Sequence, residues 1–357
     1  MGANGTNGRA PLTTAAIARR GSNGRRNRMG LRSVKGWTMC FVALTFFLAS
    51  GMVAPLGAQT YPNKPIRFLL PFPAGGLTDV LGRIMSQKFA DRTGQPWVPE
   101  NRPGAGGNIG LELLAQAKPD GYTILLTAPV IAISPHLYKK LNYDPAKDFA
   151  TISMVAQISN ILCVRSSLPV KTLGELVAMA KANPGKLNYG SGGVGSSLQI
   201  AAEMFKSLAK VNILHVPYKG VTQAMMGMIG GEVDMVVIGI PTSLQHINSG
   251  KVRPLAVLSE ERIPELPNVP TAKEAGIENF ETSTWYGLLT GAGTPRDVIN
   301  RLNAEWLKIA AMPETREQMQ KVGFEPLAGT PEQFAEFIKK ETARYGKVIK
   351  EANLSID

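Results

Sequence analysis

Histidine and cysteine are scarce in this chain of 357 residues, which contains three histidines and two cysteines. Cys40 lies in an apolar N-terminal segment and Cys163 in the apolar run NILCVRS, so the chain beyond that segment has no pair for an internal disulfide. We expect Cys163 to be a small buried core residue. The histidines, His136, His215 and His246, are isolated within their segments, and we interpret each as structural.

Motifs of metal-dependent and serine hydrolases are missing as well. The sequence contains no H-E-x-x-H motif, no paired cysteine spacing and no G-x-S-x-G elbow. We therefore predict no catalytic residue, no metal site and no cofactor. A secreted hydrolase stays open as an alternative, because a catalytic triad is assembled in space rather than in sequence.

Acidic residues are absent from the first 58 positions, which hold eight lysines and arginines. Without these positions, 31 positive residues stand against 27 negative ones, so the net charge of +12 belongs mainly to the N-terminus. The remainder has no basic stripe with interleaved aromatic residues. This pattern argues against nucleic acid as a partner.

The basic N-terminus precedes an apolar segment at residues 37–54 and the small residues of PLGA. That order is typical of a cleavable secretory signal, and we predict cleavage between Ala58 and Gln59. An uncleaved membrane anchor is the alternative, although the apolar run is marginal for a span of about 20 residues. Because the basic leader is long, we expect translation to start at Met29.

Strand-like and helix-like stretches alternate from residue 59 onward, which predicts an α/β fold. IRFLL (66–70) predicts a strand, followed by glycine-rich PFPAGGLTD and a helix that ends at Gly94. The same order returns in KLNY, SGGVGSS and the helical SLQIAAEMFKSLAK. VNILHVPY, VDMVVIGI and VRPLAVLS predict three buried strands, and the C-terminal part is helical. Two lobes with a cleft between their glycine-rich loops follow, since ligands of open α/β sheets bind outside the carboxyl ends of the strands.

Gly190, Gly192 and Gly195 spell G-x-G-x-x-G, the dinucleotide fingerprint. The following strand, ILHVPYKG, offers no carboxylate for a ribose, so a dinucleotide-binding protein stays only an alternative. A tight turn, whose glycines allow close packing, is another alternative. We favour a helix N-terminus whose free N–H groups bind an anion.

The first glycine-rich stretch, PFPAGGLTD (71–79), supports the anion interpretation. Gly75 and Gly76 let the backbone approach a ligand closely. Thr78 or Asp79 would cap the following helix, as Ser196 and Ser197 would in the second stretch. Because Asp79 would repel an anion, we expect its carboxylate to brace the N–H groups of the loop. Two helix N-termini at one cleft would then hold a carboxylate without a formal counter-charge.

Six segments together resemble the tripartite tricarboxylate transporter substrate-binding proteins, also called Bug receptors. They are YPNKPIRFLLPFPAGGLTD, ENRPGAGGNIG, KPDGYTILLTA, NYGSGGVGSSLQIAAEMF, HVPYKG and STWYGLLTGAGTP, and they extend over nearly the whole chain after the signal. The resemblance implies a two-lobed, type II-like periplasmic binding protein with a hinge of crossover strands. Lobe 1 would comprise 59–163 plus 286–357 and lobe 2 would comprise 164–285, after a signal peptide at 1–58.

The resemblance also implies a receptor rather than an enzyme. Such receptors capture a small organic acid in the periplasm and deliver it to the membrane permease subunits of a tripartite transporter. We expect a monomer, as suits a receptor that must open and close. The acid's carboxylate would lie between the two loops, held by backbone N–H groups, hydroxyls and ordered water. The implied ligand-binding residues are Phe72, Ala74, Gly75, Gly76, Thr78, Asp79, Thr127, Ala128, Ser191, Gly192, Gly195, Ser196, Tyr218 and Lys219.

Two positions depart from the family pattern. Gln199 stands where many members have histidine. Glutamine cannot carry a charge, so a contact with the acid would differ here, and the family pattern does not tell which acid is bound. Pro99, in WVPEN, stands where a β-branched residue is usual. Proline has no N–H to donate, so Pro99 predicts an edge strand or a bulge.

Overall fold

The computed structural model describes residues 61–356. All of them belong to one compact unit, Gln59–Asp357. The expected signal peptide, its cleavage site and the start at Met29 lie outside the described residues. Among the helices of residues 61–356, none combines the length and the apolar composition needed to cross a membrane.

The strands of the described residues form one mixed sheet. Its order is β2-β1-β3-β9-β4-β7-β5-β6, with β8 and β10 also paired to β4. The strands are β1 (Ile66–Leu70), β2 (Trp97–Asn101), β3 (Thr123–Thr127), β4 (Phe149–Arg165), β5 (Asn188–Ser191), β6 (Leu214–Pro217), β7 (Met235–Gly239), β8 (Val252–Val257), β9 (Ser283–Gly291) and β10 (Glu325–Pro326).

Helices cover both faces of this sheet. Most of them connect two strands, as α/β folds require, and the last three follow β9. The helices are α1 (Leu77–Thr93), α2 (Asn108–Ala115), α3 (Val130–Leu137), α4 (Leu173–Ala182), α5 (Ser197–Ala209), α6 (Val221–Gly230), α7 (Ile240–Asn248), α8 (Arg296–Ala310), α9 (Pro313–Lys321) and α10 (Pro331–Glu351), with a 3-10 turn at Ala105–Gly107 before α2.

Strand β4, with 17 residues, connects two regions of the sheet. Its first part runs antiparallel to β9 as far as Ser159, which lies opposite Ser283. From Asn160 onward it pairs with β7, and from Ile161 also with β8. Parallel β1, β2 and β3 lie beyond β9, and parallel β5, β6 and β7 lie on the other side. A long strand shared by two parallel sheet regions is therefore the frame of the molecule.

Apolar side chains are buried on both faces of the first region, as the alternation of a strand requires. Phe68 and Leu70 pack in a cluster with Phe89 of α1 and Trp306 of α8. Leu69, between them in sequence, packs in another cluster with residues of α2 and α10. The continuous apolar run IRFLL thus reflects burial on two faces rather than one.

The second region is built in the same way. Leu162 belongs to a cluster with Phe205 of α5, and its neighbour Cys163 belongs to a cluster with Met228 of α6. Cys163 is fully buried, and burial raises the pKa of its thiol well above the ordinary range. The prediction of a small core residue is confirmed.

The predicted end of α1 and the predicted edge position of Pro99 are confirmed, and one predicted strand environment is wrong. Helix α1 ends where Gly94 adopts a left-handed φ of 68°, which glycine allows without strain. Pro99 lies in β2, an edge strand, so its missing N–H costs no ladder bond within the sheet. Strand β6 is the opposite edge, and Leu214 is 54% exposed there. The apolar run of β6 predicted a buried strand, because a sequence does not show that a strand lies at the edge of its sheet.

Candidate functional site

A cleft of about 450 Å³ lies at the carboxyl ends of the parallel strands of both regions. Its walls follow β1 and β3 in the first region and β5, β6 and β7 in the second, while β4 and β9 supply the remainder. The lining residues are Phe72, Pro73, Ala74, Gly75, Gly76, Leu77, Thr78, Ala128, Ile158, Gly192, Ser196, Ser197, Leu198, Gly220, Val221, Thr222, Gln223, Gly239, Thr284 and Tyr286.

Loop 1 (residues 71–76) connects β1 to α1 and lines the cleft. Gly75 adopts a φ of 79°, a left-handed conformation that L-residues rarely take. Its N–H donates to Oδ2 of Asp79 at 3.0 Å, and Nε of Arg83 donates to the same oxygen at 3.0 Å. Asp79 thus braces the loop as expected, and it lies buried behind the loop rather than in the cleft.

The helix cap of α1 differs from the prediction. Gly76 is the N-cap and provides no side chain for the first-turn N–H groups, whereas Thr78 and Asp79 already lie within the helix. Helices leave their first N–H groups without intrahelical acceptors, and these groups carry partial positive charge. Those of Leu77 and Thr78 have no backbone acceptor among residues 61–356. Without a side-chain cap, they are left to the solvent or to a ligand in the cleft.

Loop 2 (residues 192–196) connects β5 to α5 on the other side of the cleft. Ser196 is the N-cap, and its Oγ accepts the N–H of Gln199 at 3.3 Å, as the sequence predicted. Oε1 of Gln199 in turn accepts the N–H of Gly195 at 2.6 Å. The two loops are therefore braced alike, since in each a glycine N–H donates to the side chain four residues later.

Two further helices begin at the cleft. Gly220 is the N-cap of α6 and Gly239 is the N-cap of α7, and neither provides a side-chain acceptor. Residues Val221, Thr222 and Gln223 of the first turn of α6 also line the cleft. Four helix N-termini therefore point their partial positive charge toward one volume.

The lining residues include no lysine, arginine, histidine, aspartate or glutamate. Most of the lining side chains are apolar, among them Phe72, Leu77, Ile158 and Tyr286. An anion in this volume would therefore be balanced by backbone N–H groups, hydroxyls and helix dipoles rather than by a formal charge.

The Asp79 carboxylate, next to loop 1, is ionised and paired with Arg83. Burial alone would favour the neutral form of the Asp79 carboxyl, yet its pKa lies below the ordinary value because Arg83 and the Gly75 N–H donate hydrogen bonds to it. Arg83 also pairs with Asp79 as an ion pair across one helical turn. A fixed, paired carboxylate can brace the loop without repelling an anion strongly.

Eight of the fourteen predicted ligand-binding residues line the cleft. They are Phe72, Ala74, Gly75, Gly76, Thr78, Ala128, Gly192 and Ser196. The structure places the other six outside the lining: Asp79, Thr127, Ser191, Gly195, Tyr218 and Lys219.

The six outlying residues have other contacts or are exposed. Thr127 is buried and donates to the carbonyl of Ala128. The hydroxyl of Tyr218 donates to Oε2 of Glu232 at 2.8 Å, away from loop 2. Lys219 is exposed, and no ion pair involves it within the described residues.

Buried Ser191 and half-buried His215 form a pair that bears on the hydrolase alternative. Oγ of Ser191 lies 2.7 Å from Nε2 of His215. A nucleophile must reach its substrate, but Ser191 has no exposed surface. Nδ1 of His215 lies 3.3 Å from the amide Nε2 of Gln199, where a catalytic triad would place a carboxylate. The pair is thus a structural element beneath loop 2, and a hydrolase is not favoured.

The glycines of the dinucleotide fingerprint serve close packing. A side chain at Gly190 would lie 3.1 Å from Cβ of Ala224, and one at Gly192 would lie 3.1 Å from the backbone N of Val221. These glycines let α6 approach β5 and loop 2. The fingerprint therefore does not favour a dinucleotide-binding protein.

Sequence reasoning missed part of the cleft. The first turn of α6 follows a strand and a glycine in HVPYKGVTQ, so the join that marked loops 1 and 2 was also present there. Ile158, Thr284 and Tyr286 had no such local signal. They lie inside the long strands β4 and β9, and only the pairing of these strands brings them to the cleft.

The chain is similar to a family of transport receptors. The chain matches the family model described as tripartite tricarboxylate transporter family receptor over residues 81–354. Protein BugT of Bordetella pertussis is 34% identical over 314 residues, which cover 87% of this chain and 96% of BugT.

Two solved structures of bacterial proteins are also similar to this chain. The structure of R. palustris Rpa4515 with adipate has a TM-score of 0.79 at 32% identity, and the match covers 83% of this chain and 100% of that one. MatC from Rhodopseudomonas palustris with bound malate has a TM-score of 0.75 at 29% identity, covering 81% and 100%. The predicted two-lobed binding-protein fold is confirmed.

These matches also confirm the predicted resemblance and the interpretation as a receptor rather than an enzyme, because the matched family is one of solute-binding receptors. Its members include periplasmic binding proteins. With more than half of its length matched, the chain belongs to the tripartite tricarboxylate transporter receptor family.

Proposed function

We propose that this protein captures a small organic acid in the cleft, with a carboxylate held between loop 1 and loop 2. The observation that carries the proposal is the convergence of four helix N-termini on a volume without charged side chains. Such termini bind anions through backbone N–H groups and helix dipoles.

The remainder of the lining supports an organic anion rather than an inorganic one. Apolar side chains from loop 1, β4 and α5 surround the helix N-termini, and a volume of about 450 Å³ exceeds the needs of a small inorganic ion. The structures of relatives with adipate and malate point to the same ligand class. Of the predicted ligand-binding residues, we retain the eight that line the cleft.

We further propose where capture occurs and how it ends. The N-terminal signal would send the protein to the periplasm, where the loaded receptor would meet the permease subunits of a tripartite transporter. Lobe 1 would comprise 59–163 and 286–357, and lobe 2 would comprise 164–285. The passage of β4 through both sheet regions supports a hinge at this strand. The receptor would act as a monomer.

A thermal-shift screen of the chain from Gln59 tests the proposal. The panel holds mono-, di- and tricarboxylic acids, adipate and malate among them, each beside its uncharged primary amide. A bound acid at one hundred times its Kd adds about 2.7 kcal/mol to the free energy of unfolding, so at least one acid is expected to raise Tm by several degrees. Its amide is expected to leave Tm unchanged. Equal shifts for acid and amide, or no shift with any acid, would contradict carboxylate capture.

A further inference from the structure

A chain of hydrogen-bonded polar groups lies directly beneath loop 2, and its His215 ring is half-buried rather than buried. It runs from the N–H of Gly195 to Gln199, then to His215, then to Ser191, and ends at Gly193. Gln199 is 5% exposed and Ser191 is fully buried. Polar groups in such positions are costly to leave unpaired, so the direction of each hydrogen bond in the chain is determined.

The backbone fixes the orientation of the Gln199 amide. Because the N–H of Gly195 can only donate, the atom 2.6 Å away must be the oxygen Oε1. The amide nitrogen Nε2 then faces Nδ1 of His215 at 3.3 Å and can only donate to it. Nδ1 of His215 must therefore carry no proton.

The remaining directions follow from His215. With Nδ1 unprotonated, the neutral ring carries its proton on Nε2, which donates to Oγ of Ser191 at 2.7 Å. The Ser191 hydroxyl then donates to the carbonyl of Gly193 at 3.2 Å, and its Oγ accepts the Gly193 N–H at 3.2 Å. Every donor in the chain has an acceptor only while His215 is neutral.

We propose that Gln199 is a positioning residue which, through His215 and Ser191, holds Gly193 and Gly195 in the ligand-binding form of loop 2 only while His215 is neutral. This inference rests on the proposed function, because loop 2 is one of the two sides of the carboxylate site. It places Gln199 behind the loop and outside the cleft lining, so that its effect on an acid passes through loop 2.

Protonation of His215 breaks the arrangement in either orientation of the amide. A proton on Nδ1 would face the amide nitrogen of Gln199, which is itself a donor. Rotation of the amide would present its oxygen to the imidazolium but would turn its nitrogen toward the Gly195 N–H. One bond that fixes loop 2 is lost in both cases.

The surroundings of His215 also favour the neutral ring. Its ring stacks on Tyr189 of β5 at 4.8 Å between centroids, and the Tyr189 hydroxyl donates to Glu203 of α5. Glu203 pairs with Lys206, so the two charges of α5 near the ring largely cancel. Burial lowers the pKa of His215, and Lys206 lowers it further, against the opposing effect of Glu203.

Nitrogen NMR of ligand-free protein with ¹⁵N-labelled histidine and glycine tests the inference. In the wild type we expect a neutral His215 with its proton on Nε2 at pH 7. On acidification, the Gly193 and Gly195 amides should change with the same midpoint as His215, and their protection against hydrogen exchange, relative to the intrinsic rate at each pH, should fall about tenfold. A proton on Nδ1 at pH 7, or glycine amides that ignore the titration, would overturn the inference.

Gln199→Glu is the matched variant. A carboxylate at this place would still accept the Gly195 N–H but would also accept a proton from Nδ1, so we expect the His215 midpoint to rise by at least one pH unit. Gln245→Glu adds the same charge at an exposed position of α7 and should leave the midpoint unchanged. If the His215 midpoint rose equally in both variants, the added negative charge alone would explain the change. That result would overturn the role of Gln199. If Gln199→Glu does not fold, the wild-type titration still decides.

Adipate binding separates this inference from the proposed function. Wild-type affinity for adipate should fall about tenfold when the pH drops below the His215 midpoint, whereas an affinity that is independent of pH through that midpoint would overturn the inference. A cleft that binds no acid in the thermal screen at any pH would contradict the proposed function, while the imidazole titration would still decide whether Gln199 positions loop 2.

Discussion

In both loops a glycine N–H donates to the side chain four residues later, and the two side chains differ in charge. Asp79 in loop 1 is a carboxylate paired with Arg83, whereas Gln199 in loop 2 is neutral and bonded to His215. These hydrogen bonds occupy the N–H groups of Gly75 and Gly195. They leave the N–H groups of Leu77 and Thr78 in α1, and of Ser197 and Leu198 in α5, for a ligand, while that of Gln199 donates to Ser196. The bracing residues thus set the direction of these groups.

Gly76→Val tests the role of the α1 N-terminus. Gly76 has ordinary extended dihedrals and its nearest neighbour would be 3.4 Å from a side chain, so valine fits without backbone strain. The branched side chain would stand at the cleft wall beside the free N–H groups. We expect at least a tenfold loss of affinity, about 1.4 kcal/mol, for the acid identified by the thermal screen, measured by calorimetry.

The control is Gly174→Val, which adds the same side chain at an exposed glycine of α4, where its nearest neighbour would be Oγ1 of Thr172 at 4.0 Å. Valine has a higher helix propensity than glycine, so this variant should fold without touching the cleft, and it should bind the acid as the wild type does. Unchanged affinity in Gly76→Val would remove the α1 N-terminus from the site.

The Asp79 brace predicts a dependence of stability on pH. Because its pKa is lowered in the folded state, the ionised carboxylate stabilises the fold above the ordinary pKa of about 3.9, and this contribution disappears as the pH falls through the lowered value. Asp79→Asn should therefore cost about 1–3 kcal/mol in the free energy of urea unfolding at pH 7, and much less at pH 3.

Asp91→Asn serves as the comparison for this experiment, since Asp91 is exposed on the same helix. It should change the free energy of unfolding little at either pH. If Asp79→Asn destabilised the protein equally at pH 7 and pH 3, the brace would not depend on the charge of Asp79.

The sequence identified residues at the two strand–helix joins that carry several glycines or small polar residues, loops 1 and 2. Gly75, Gly76 and Ser196 were found by this signal and line the cleft. It failed for Ser191, because the last residue of a strand may turn either inward or outward, and only the position of His215 shows that its hydroxyl turns inward. Lys219 was implied by the family resemblance through the segment HVPYKG, and the structure leaves it at the surface.

At the scale of elements, β4 and β9 are held together where the two sheet regions meet. The side chain of Asn160 on β4 donates to Oγ1 of Thr282 at 3.2 Å and accepts from Oγ1 of Thr284 at 3.1 Å. All three residues are buried. The amide therefore ties β4 to the start of β9 at the crossing between the regions.

Asn160→Ala should leave two buried hydroxyls without a partner. We expect the free energy of unfolding to fall by about 1–3 kcal/mol, measured by urea denaturation. Asn248→Ala, at the exposed end of α7, provides the control and should have little effect. A loss in Asn160→Ala no greater than in the control would show that the amide does not tie the two strands.

Elements with a strong local signal were predicted well. Helix α1 has periodic apolar residues and a terminal glycine, and α10 has a proline in its first turn and a capping box at Thr330. The position of a strand in the sheet was not predictable in the same way. Strand β6 has an apolar sequence but lies at an edge, and β4 was recognised only in part because its two halves pair with different strands.

At the scale of the molecule, the two sides of the cleft also touch outside it. A side chain at Gly106, in the 3-10 turn before α2, would lie 3.0 Å from the carbonyl oxygen of Val194 in loop 2. Nearby, the Tyr138 hydroxyl donates to the carbonyl of Ala105 at 3.2 Å. The first region thus approaches loop 2 at a glycine, where any side chain would press against the backbone of loop 2.

Gly106→Ala should hinder this approach and weaken binding of the acid about tenfold in calorimetry. Gly106 has a φ of 64°, so alanine also strains the backbone. Gly250→Ala is matched for that strain, with a φ of 69° but open space around it, and should bind normally. Equal affinities for the two variants would mean that this contact plays no part in closing the cleft.

The most direct test of a carboxylate held by helix N-termini is an amide ¹H–¹⁵N NMR titration with the acid found in the thermal screen. Hydrogen bonding to a carboxylate moves an amide proton downfield. We predict the largest downfield shifts at Leu77 and Thr78 of α1 and at Ser197 and Leu198 of α5, in one saturating transition. Large shifts confined to other surfaces, with these amides unchanged, would contradict the account.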